Sequence, residues 1–403
     1  MERIDKTSPF SPGKPVPVEF FVGRGNEIER IRRSLNQVTH GKNENLFILG
    51  DRGLGKSSLA NYCLELAVRE YNLLPVYCSL GGITTLNGFT KKVLESLVKS
   101  SHDKDIIDGF KSFFKKYIKE TGLGFPGFIN IKFQATNEEL ESLTSNFLPI
   151  IAQTLKTIDK YGKTGLFLVL DDLNGITKLP DFAHFLKSTV DTIAINYKNL
   201  PLFMMLIGVK ERRNDLISVQ PSVGRIFDII QLERLGEEET RCFFEETYKS
   251  VDVKIDEDAL NDLVRRSRGY PMFIHELGDA VFWCDEDNHI TFDDAFSGVI
   301  RASQNIGHKY LDSQIYQAIK SEKYHSILKK IGTALVELKI GMEFHKNELK
   351  KLDLDESERN VLDNFLNRMN KLGFIVAVPD KKGYRRFANE LYALYVVLQS
   401  MER

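Results

Sequence analysis

One segment constrains this chain more than any other: Gly50-Asp51-Arg52-Gly53-Leu54-Gly55-Lys56-Ser57, which reads G-x-x-x-x-G-K-S. Glycines so spaced free the backbone for turns that side chains forbid, so that successive N–H groups point inward at an anion. A lysine after the last glycine can reach phosphate oxygens, and the next serine hydroxyl can hold a divalent cation. The flanks fit the same geometry. Asn45–Leu49 is an apolar run of strand length, and the stretch from Lys56 to about Tyr71 has helical character. A helix starting at the loop aims the positive end of its dipole at the bound anion.

The surrounding pattern is an alternation of strands and helices. Pro75–Ser79, Leu166–Leu170 and Pro201–Ile207 are short apolar runs with helix-length segments between them, and Ile226–Leu232 follows. That order predicts a parallel sheet covered on both faces. The run Leu166-Phe167-Leu168-Val169-Leu170 ends in Asp171-Asp172, two carboxylates at the carboxyl end of a buried strand, where ligands of open α/β sheets sit. Behind a P-loop, Asp171 is expected to hold Mg²⁺ through water, with Ser57 binding the ion, and Asp172 to polarise an attacking water. Lys56 would serve the β and γ phosphates.

Composition removes other classes. With Lys plus Arg at 55 and Asp plus Glu at 56 the net charge is −1, which does not suit a nucleic-acid coat, although local basic patches remain open. The four cysteines lack any C-x-x-C pair, and the eight histidines form no H-E-x-x-H, so neither a disulfide scaffold nor a zinc site is expected. The start is polar, without a secretory h-region, and the apolar runs Leu202–Val209 and Leu391–Leu398 fall short of a bilayer span. A cytoplasmic location without membrane contact is the expectation.

Further organisation follows from punctuation. Residues 1–20, with Pro9, Pro12, Pro15 and Pro17, read as an extended arm wrapping onto the domain that follows. Residues 101–165 read as an insertion in which Ile129, Ile131 and Phe133 alternate with Asn130 and Lys132 as in a hairpin, followed by a helix from Glu138 to about Tyr161. It is either a local extension or a partner surface. After Gly236 the strands are expected to stop, and Glu237–Ser250, Asp256–Arg268, Met272–Cys284 and Asp293–Asn305 read as four short helices. From Lys309 the spacing is helical, until Phe374–Pro379 and Tyr384–Phe387 form a hairpin around Asp380-Lys381-Lys382-Gly383. Helices followed by a small β-hairpin is the order of a winged helix. The predicted division is an arm (1–20), a P-loop α/β domain (21–235), a helical lid (236–308) and a mostly α winged-helix domain (309–403).

Phe21-Val22-Gly23-Arg24, with Glu27 after it, resembles the opening box of AAA+ and STAND P-loop ATPases. The resemblance spans about residues 21–284, and more loosely the rest. It implies ATP and Mg²⁺ as cofactors, with Val22 and Gly23 beside the adenine and Gly50, Gly53, Gly55, Lys56, Ser57 and Ser58 on the phosphates. Arg268-Gly269-Tyr270-Pro271 is similar to the Gly-x-Pro motif of STAND lids, whose proline contacts the base; Pro271 takes that role here. Arg225, just before a strand, resembles an arginine finger acting on a neighbouring subunit, against the plainer reading of a surface arginine. Lys210 or Arg212 stands where a polar sensor is expected, or simply opens a solvated helix. His275 reads as a packing or capping residue, and Phe282 with Trp283 as lid core.

The implied function is an ATP-binding and ATP-hydrolysing switch, its nucleotide state controlling lid and winged helix, with an unidentified protein partner and nucleotide-dependent homo-oligomers. The alternative is a DNA-binding AAA+ ATPase resembling origin-recognition or transposition-helper proteins. The candidate recognition helix, about Asp355–Leu372, carries four acids and three bases, which disfavours phosphate contact. Lys381, Lys382, Arg385 and Arg386 on the wing suit either DNA backbone or solvent.

Overall fold

The computed structural model describes residues 7–100, 119–120, 133–134, 141 and 144–401. They divide into two compact units, one of residues 15–233 and one of residues up to 14 together with 234–403.

The first unit is built on five parallel strands: β1 (Glu44–Leu49), β2 (Leu74–Ser79), β3 (Leu166–Asp171), β4 (Leu202–Gly208) and β5 (Asp228–Gln231), in the order β2-β3-β4-β1-β5. Every residue of β3 and β4 is buried, as continuous apolar runs in a sheet covered on both faces should be. Phe167 and Phe203 stack at 4.7 Å between neighbouring strands. Helices α1 (Gly25–Thr39), α2 (Lys56–Tyr71), α3 (Leu86–Ser100), α4 (Phe147–Asp159), α5 (Pro180–Asn196) and α6 (Lys210–Val219) complete this unit, with a single turn at Val223–Ile226. The core joins Val76 and Leu168 on the strands to Phe89, Ile151 and Phe182 on helices. Within the inserted stretch, Lys119–Glu120 pairs antiparallel with Phe133–Gln134. The alternation over Ile129 to Lys132 and the helix start at Glu138 lie outside the described residues, and the helix itself is resolved from Phe147.

In the second unit, α7 (Glu237–Lys249), α8 (Glu257–Ser267), α9 (Pro271–Phe282) and α10 (Phe292–Ile306) follow one another closely. The expectation that strands stop after Gly236 is corrected here, because Lys254–Ile255 pairs in parallel with His289–Ile290. A two-residue pairing with one apolar position in each partner leaves no period to read. The chain continues through a π-helical segment, Gly307–Tyr316, into α11 (Glu322–Val336), α12 (Glu356–Lys371) and α13 (Glu390–Met401). These helices pack with a three-stranded antiparallel sheet of β6 (Glu343–His345), β7 (Ile375–Ala377) and β8 (Tyr384–Phe387), ordered β6-β8-β7. The third strand, β6, has no counterpart in the sequence reading. Phe344, Phe365, Phe374, Phe387 and Tyr395 fill the common core.

The arm is also corrected. Rather than lying wholly on the domain that follows it, its first part belongs to the helical unit. There Phe10 is buried against Phe243, Phe244, Tyr248 and His275, over Gly278, where any Cβ would strike its ring. Ser11 N–H donates to His275 Nδ1 at 3.3 Å. From Pro15 onward the arm joins the sheet unit, where Val16 N–H donates to Ser58 Oγ at 3.2 Å.

Candidate functional site

The loop between β1 and α2 leaves the sheet at its carboxyl edge. Gly53 and Gly55 adopt φ of +82° and +80°, conformations that side-chain-bearing residues resist, and Gly55 is the N-cap of α2. No side chain caps that helix, so its first N–H groups remain free for an anion. Lys56 Nζ donates to the carbonyls of Gly50 and Asp51 at 2.8 and 2.7 Å, folding the lysine back over its own loop. Burial pushes its ammonium below the ordinary lysine value, against the opposing pull of Asp171 and Asp51. An arriving phosphate would offer that ammonium a better partner than two carbonyls.

Ser57 and Asp171 meet although β4 separates their strands in the sheet: Ser57 Oγ donates to Asp171 Oδ2 at 2.7 Å. The same oxygen accepts the Tyr77 hydroxyl at 2.7 Å, and Oδ1 accepts the Asp172 N–H at 2.7 Å. The hydroxyl–carboxylate pair offers the hard oxygen ligands that Mg²⁺ requires, and the helix N–H groups and lysine beside it offer the donors that phosphate requires. Asp172 itself adopts a left-handed backbone, φ +57°, rare outside glycine and frequent where function demands strain. Its carboxylate accepts from Asn174 Nδ2 and lies so close to Gly81 that a Cβ there would stand 2.5 Å from Oδ2.

Residues 21–194 match the family model described as the AAA ATPase domain. Over this segment the chain is similar to AAA ATPase domains. Solved structures with a similar fold include a Walker-type ATPase of Pyrococcus abyssi, 16% identical, with a TM-score of 0.51 over 94% of this chain and 96% of that one. The ORC2 protein of Aeropyrum pernix in ADPNP-ADP complexes is 14% identical, with a TM-score of 0.58 over 94% and 93% of the two chains. Its ADP form is 13% identical, with a TM-score of 0.50 over 95% of each. At these identities the likeness shows the fold. No curated protein matches the sequence.

Other expected residues fall into place unevenly. Gly23, with φ +83°, turns the chain into α1. The neighbouring Arg24, also left-handed and 5% exposed, donates to the carbonyls of Leu54 and Glu233 at 3.2 and 2.6 Å. The opening box is thereby tied to the phosphate loop, a task that no local pattern in the sequence announces. The Ser58 side chain is occupied by the arm, leaving its backbone N–H as the group for a phosphate. Arg212 reaches Asn174 Oδ1 at 3.2 Å and Asp215 at 2.7 Å, so a chain of contacts runs from Arg212 through Asn174 to Asp172. Of the two sensor candidates, the structure links Arg212 to the Asp172 side chain.

Arg225 stands apart. It is exposed, donates to Ser222 Oγ at 3.2 Å and precedes the amino end of β5, whereas the phosphate loop follows the carboxyl end of β1. Pro271 lies in the second unit as the first residue of α9, after Arg268 and Gly269 in consecutive left-handed conformations. Gly269 is obligatory there, since a Cβ would lie 2.1 Å from the Leu235 carbonyl oxygen. On the C-terminal hairpin Lys381 pairs with Glu343 at 2.6 Å, while the Nε atoms of Arg385 and Arg386 are buried and unpartnered. Glu358, one of the three acids of α12, is buried against Lys330, which reduces the charge that helix presents to solvent. Among the described residues no helix is long and apolar enough to cross a membrane, and no cluster of three or more His, Cys, Asp or Glu forms a metal site. Tyr77 is the site residue that sequence reasoning missed. Its only signal is the alternation of β2, which sets Tyr77 and Ser79 on the face opposite Val76 and Cys78.

Proposed function

We propose that the chain is an ATP-binding and ATP-hydrolysing switch of AAA+/STAND type, with the lid in residues 236–308 and a winged-helix domain in 309–403 as the parts whose arrangement nucleotide state controls. The observation that carries this reading is the 2.7 Å bond between Ser57 and Asp171, beside a lysine held back by two loop carbonyls. Magnesium, when bound, would neutralise phosphate charge and fix the phosphates for in-line attack. The chain's own groups do the rest. The N–H groups at the start of α2 and the Lys56 ammonium bind the phosphates, and Ser57 and Asp171 hold the metal. Asp172, gripped by Asn174, orients and deprotonates the attacking water. Val22 and Gly23 flank the base, and Pro271 contacts it from the lid. Arg225, exposed and away from the carboxyl edge of the sheet, would act on a second copy's nucleotide in a homo-oligomer. The C-terminal domain supplies the surface for a protein partner, where Glu358 of α12 and Lys381 of the hairpin are already paired internally.

Asp172→Asn separates binding from chemistry. It keeps the side-chain size and a partner for Asn174, so Mg-ATP should bind as in the wild type while kcat falls about 10²-fold or more. Measured affinity and steady-state turnover test this together; turnover at the wild-type rate would remove Asp172 from the role.

A further inference from the structure

The Asp171 carboxylate has an arrangement that outlasts the Ser57 contact. Oδ1 is fixed by the Asp172 N–H, while Oδ2 takes two hydroxyls, Ser57 and Tyr77, each at 2.7 Å. If Ser57 and Asp171 are a metal pair, the serine oxygen must turn to the cation, and Oδ2 then keeps Tyr77 as its remaining protein donor. Register makes this contact available. β2 pairs with β3 so that Ser79 is opposite Asp171 and Tyr77 opposite Val169, which sets Tyr77 diagonally across from Asp171 on a shared face. A diagonal neighbour is too distant for a short side chain and within reach of an aromatic one.

We propose that Tyr77 is a positioning residue for the metal site: its hydroxyl holds the Asp171 carboxylate in one rotamer, so that the acid meets Mg²⁺ without first having to reorient. The proposal rests on the reading of Ser57 and Asp171 as the metal-holding pair and adds a residue from a third strand. A phenol is protonated at neutral pH, so its O–H is available as a donor. The ring is 38% exposed at the site's edge, so the hydroxyl can be removed without opening a core cavity.

The test compares full-length wild type with Tyr77→Phe by titrating Mg²⁺ at fixed ADPNP and following the melting temperature, an equilibrium reading independent of turnover. Losing one hydrogen bond to a charged acceptor should raise the half-saturating Mg²⁺ concentration roughly 3- to 10-fold. ADPNP affinity in EDTA and the apo melting temperature should stay as in the wild type. An unchanged or lower Mg²⁺ midpoint would overturn the proposal, and so would an equal loss with and without Mg²⁺, which marks a merely structural residue. Asp171→Asn serves as the control. If it abolishes the Mg²⁺ dependence while Tyr77→Phe behaves as wild type, the metal reading stands and the role of Tyr77 is refuted. If Asp171→Asn also titrates as wild type, the metal reading itself fails and the proposal falls with it.

Discussion

Three buried carboxylates of the helical unit are held in a way opposite to that of Asp171 in the sheet unit. In the sheet unit, Asp171 is 8% exposed and its bonds come from two hydroxyls and an amide, all neutral donors. In the helical unit, Glu276 is 1% exposed and both its oxygens are gripped by Lys309, at 3.0 and 2.9 Å, with Tyr310 at 3.1 Å. Glu358 is paired with Lys330 at 2.6 Å, and Asp262 is held by Arg265 and Arg266 at 2.7 and 2.6 Å. Burial pushes the Asp262 carboxyl up, and the hydrogen bonds from the two arginines outweigh it and leave it below the ordinary range. An acid supplied with its own cation is complete and serves the fold. An acid held by neutral donors has no cation built in beside it, and its oxygens are set for one from outside.

The sharpest way to break this contrast is to remove a built-in cation. Lys309→Met leaves the Glu276 carboxylate buried with Tyr310 alone and should cost about 3 kcal/mol, seen as a lower urea midpoint. Adding Glu276→Gln should recover most of that loss. A single variant within about 0.5 kcal/mol of wild type would show that the pair is not what holds these helices.

Acid should weaken the helical unit in a second way. His275 is 5% exposed, and burial pushes its imidazole down to about 4. Its folded value lies below its unfolded one, so the stabilisation is complete above the unfolded value near 6.5 and is lost as pH falls through about 4. The full loss is at most about 3 kcal/mol, and His275→Gln should flatten the slope between those limits in pH-dependent urea melts. An unaltered slope would assign the acid sensitivity to other groups.

Asp171→Asn should cost less, about 1–2 kcal/mol, because the amide oxygen still accepts from both hydroxyls while the NH2 group replaces the oxygen that accepts the Asp172 N–H. A loss as large as that of Lys309→Met would erase the distinction between the two kinds of acid. The smallest effect is expected on the C-terminal hairpin. Neutralising Lys381, Lys382, Arg385 and Arg386 together should lower the slope of log K for duplex DNA against log salt by at most about 0.9 per residue, and by less at Lys381, which is already paired with Glu343. Sequence-selective binding that persists at physiological salt would instead favour the DNA-binding reading.

Legibility in the sequence followed the range of the interaction concerned. The phosphate loop and the Asp171-Asp172 strand end are local patterns, and helix α2 runs over the residues expected of it. Arg24 and Tyr77 could not be found this way, because their roles depend on a left-handed backbone in one case and inter-strand register in the other. Strand β6 is three residues long with Glu343 and His345 around one buried Phe344, too short to show a period. The arm was misplaced because proline density reports only extended backbone, while the seat of Phe10 is made by residues from Phe243 to Gly278, far along the chain. The Arg212–Asn174–Asp172 contacts join the loop after β3 to helix α6 and are visible in the sequence only as a choice between two basic residues.

The claim beneath all of this is that the loop after β1 binds ATP through Lys56. Thermal melts of wild type and Lys56→Ala, each with and without Mg-ATP at about 100 times the wild-type Kd, test it most directly. The wild type should gain about 2.7 kcal/mol, several degrees in Tm, while Lys56→Ala should gain nothing and keep an apo Tm within a few degrees of wild type. An ATP-induced shift of the same size in Lys56→Ala would contradict the account.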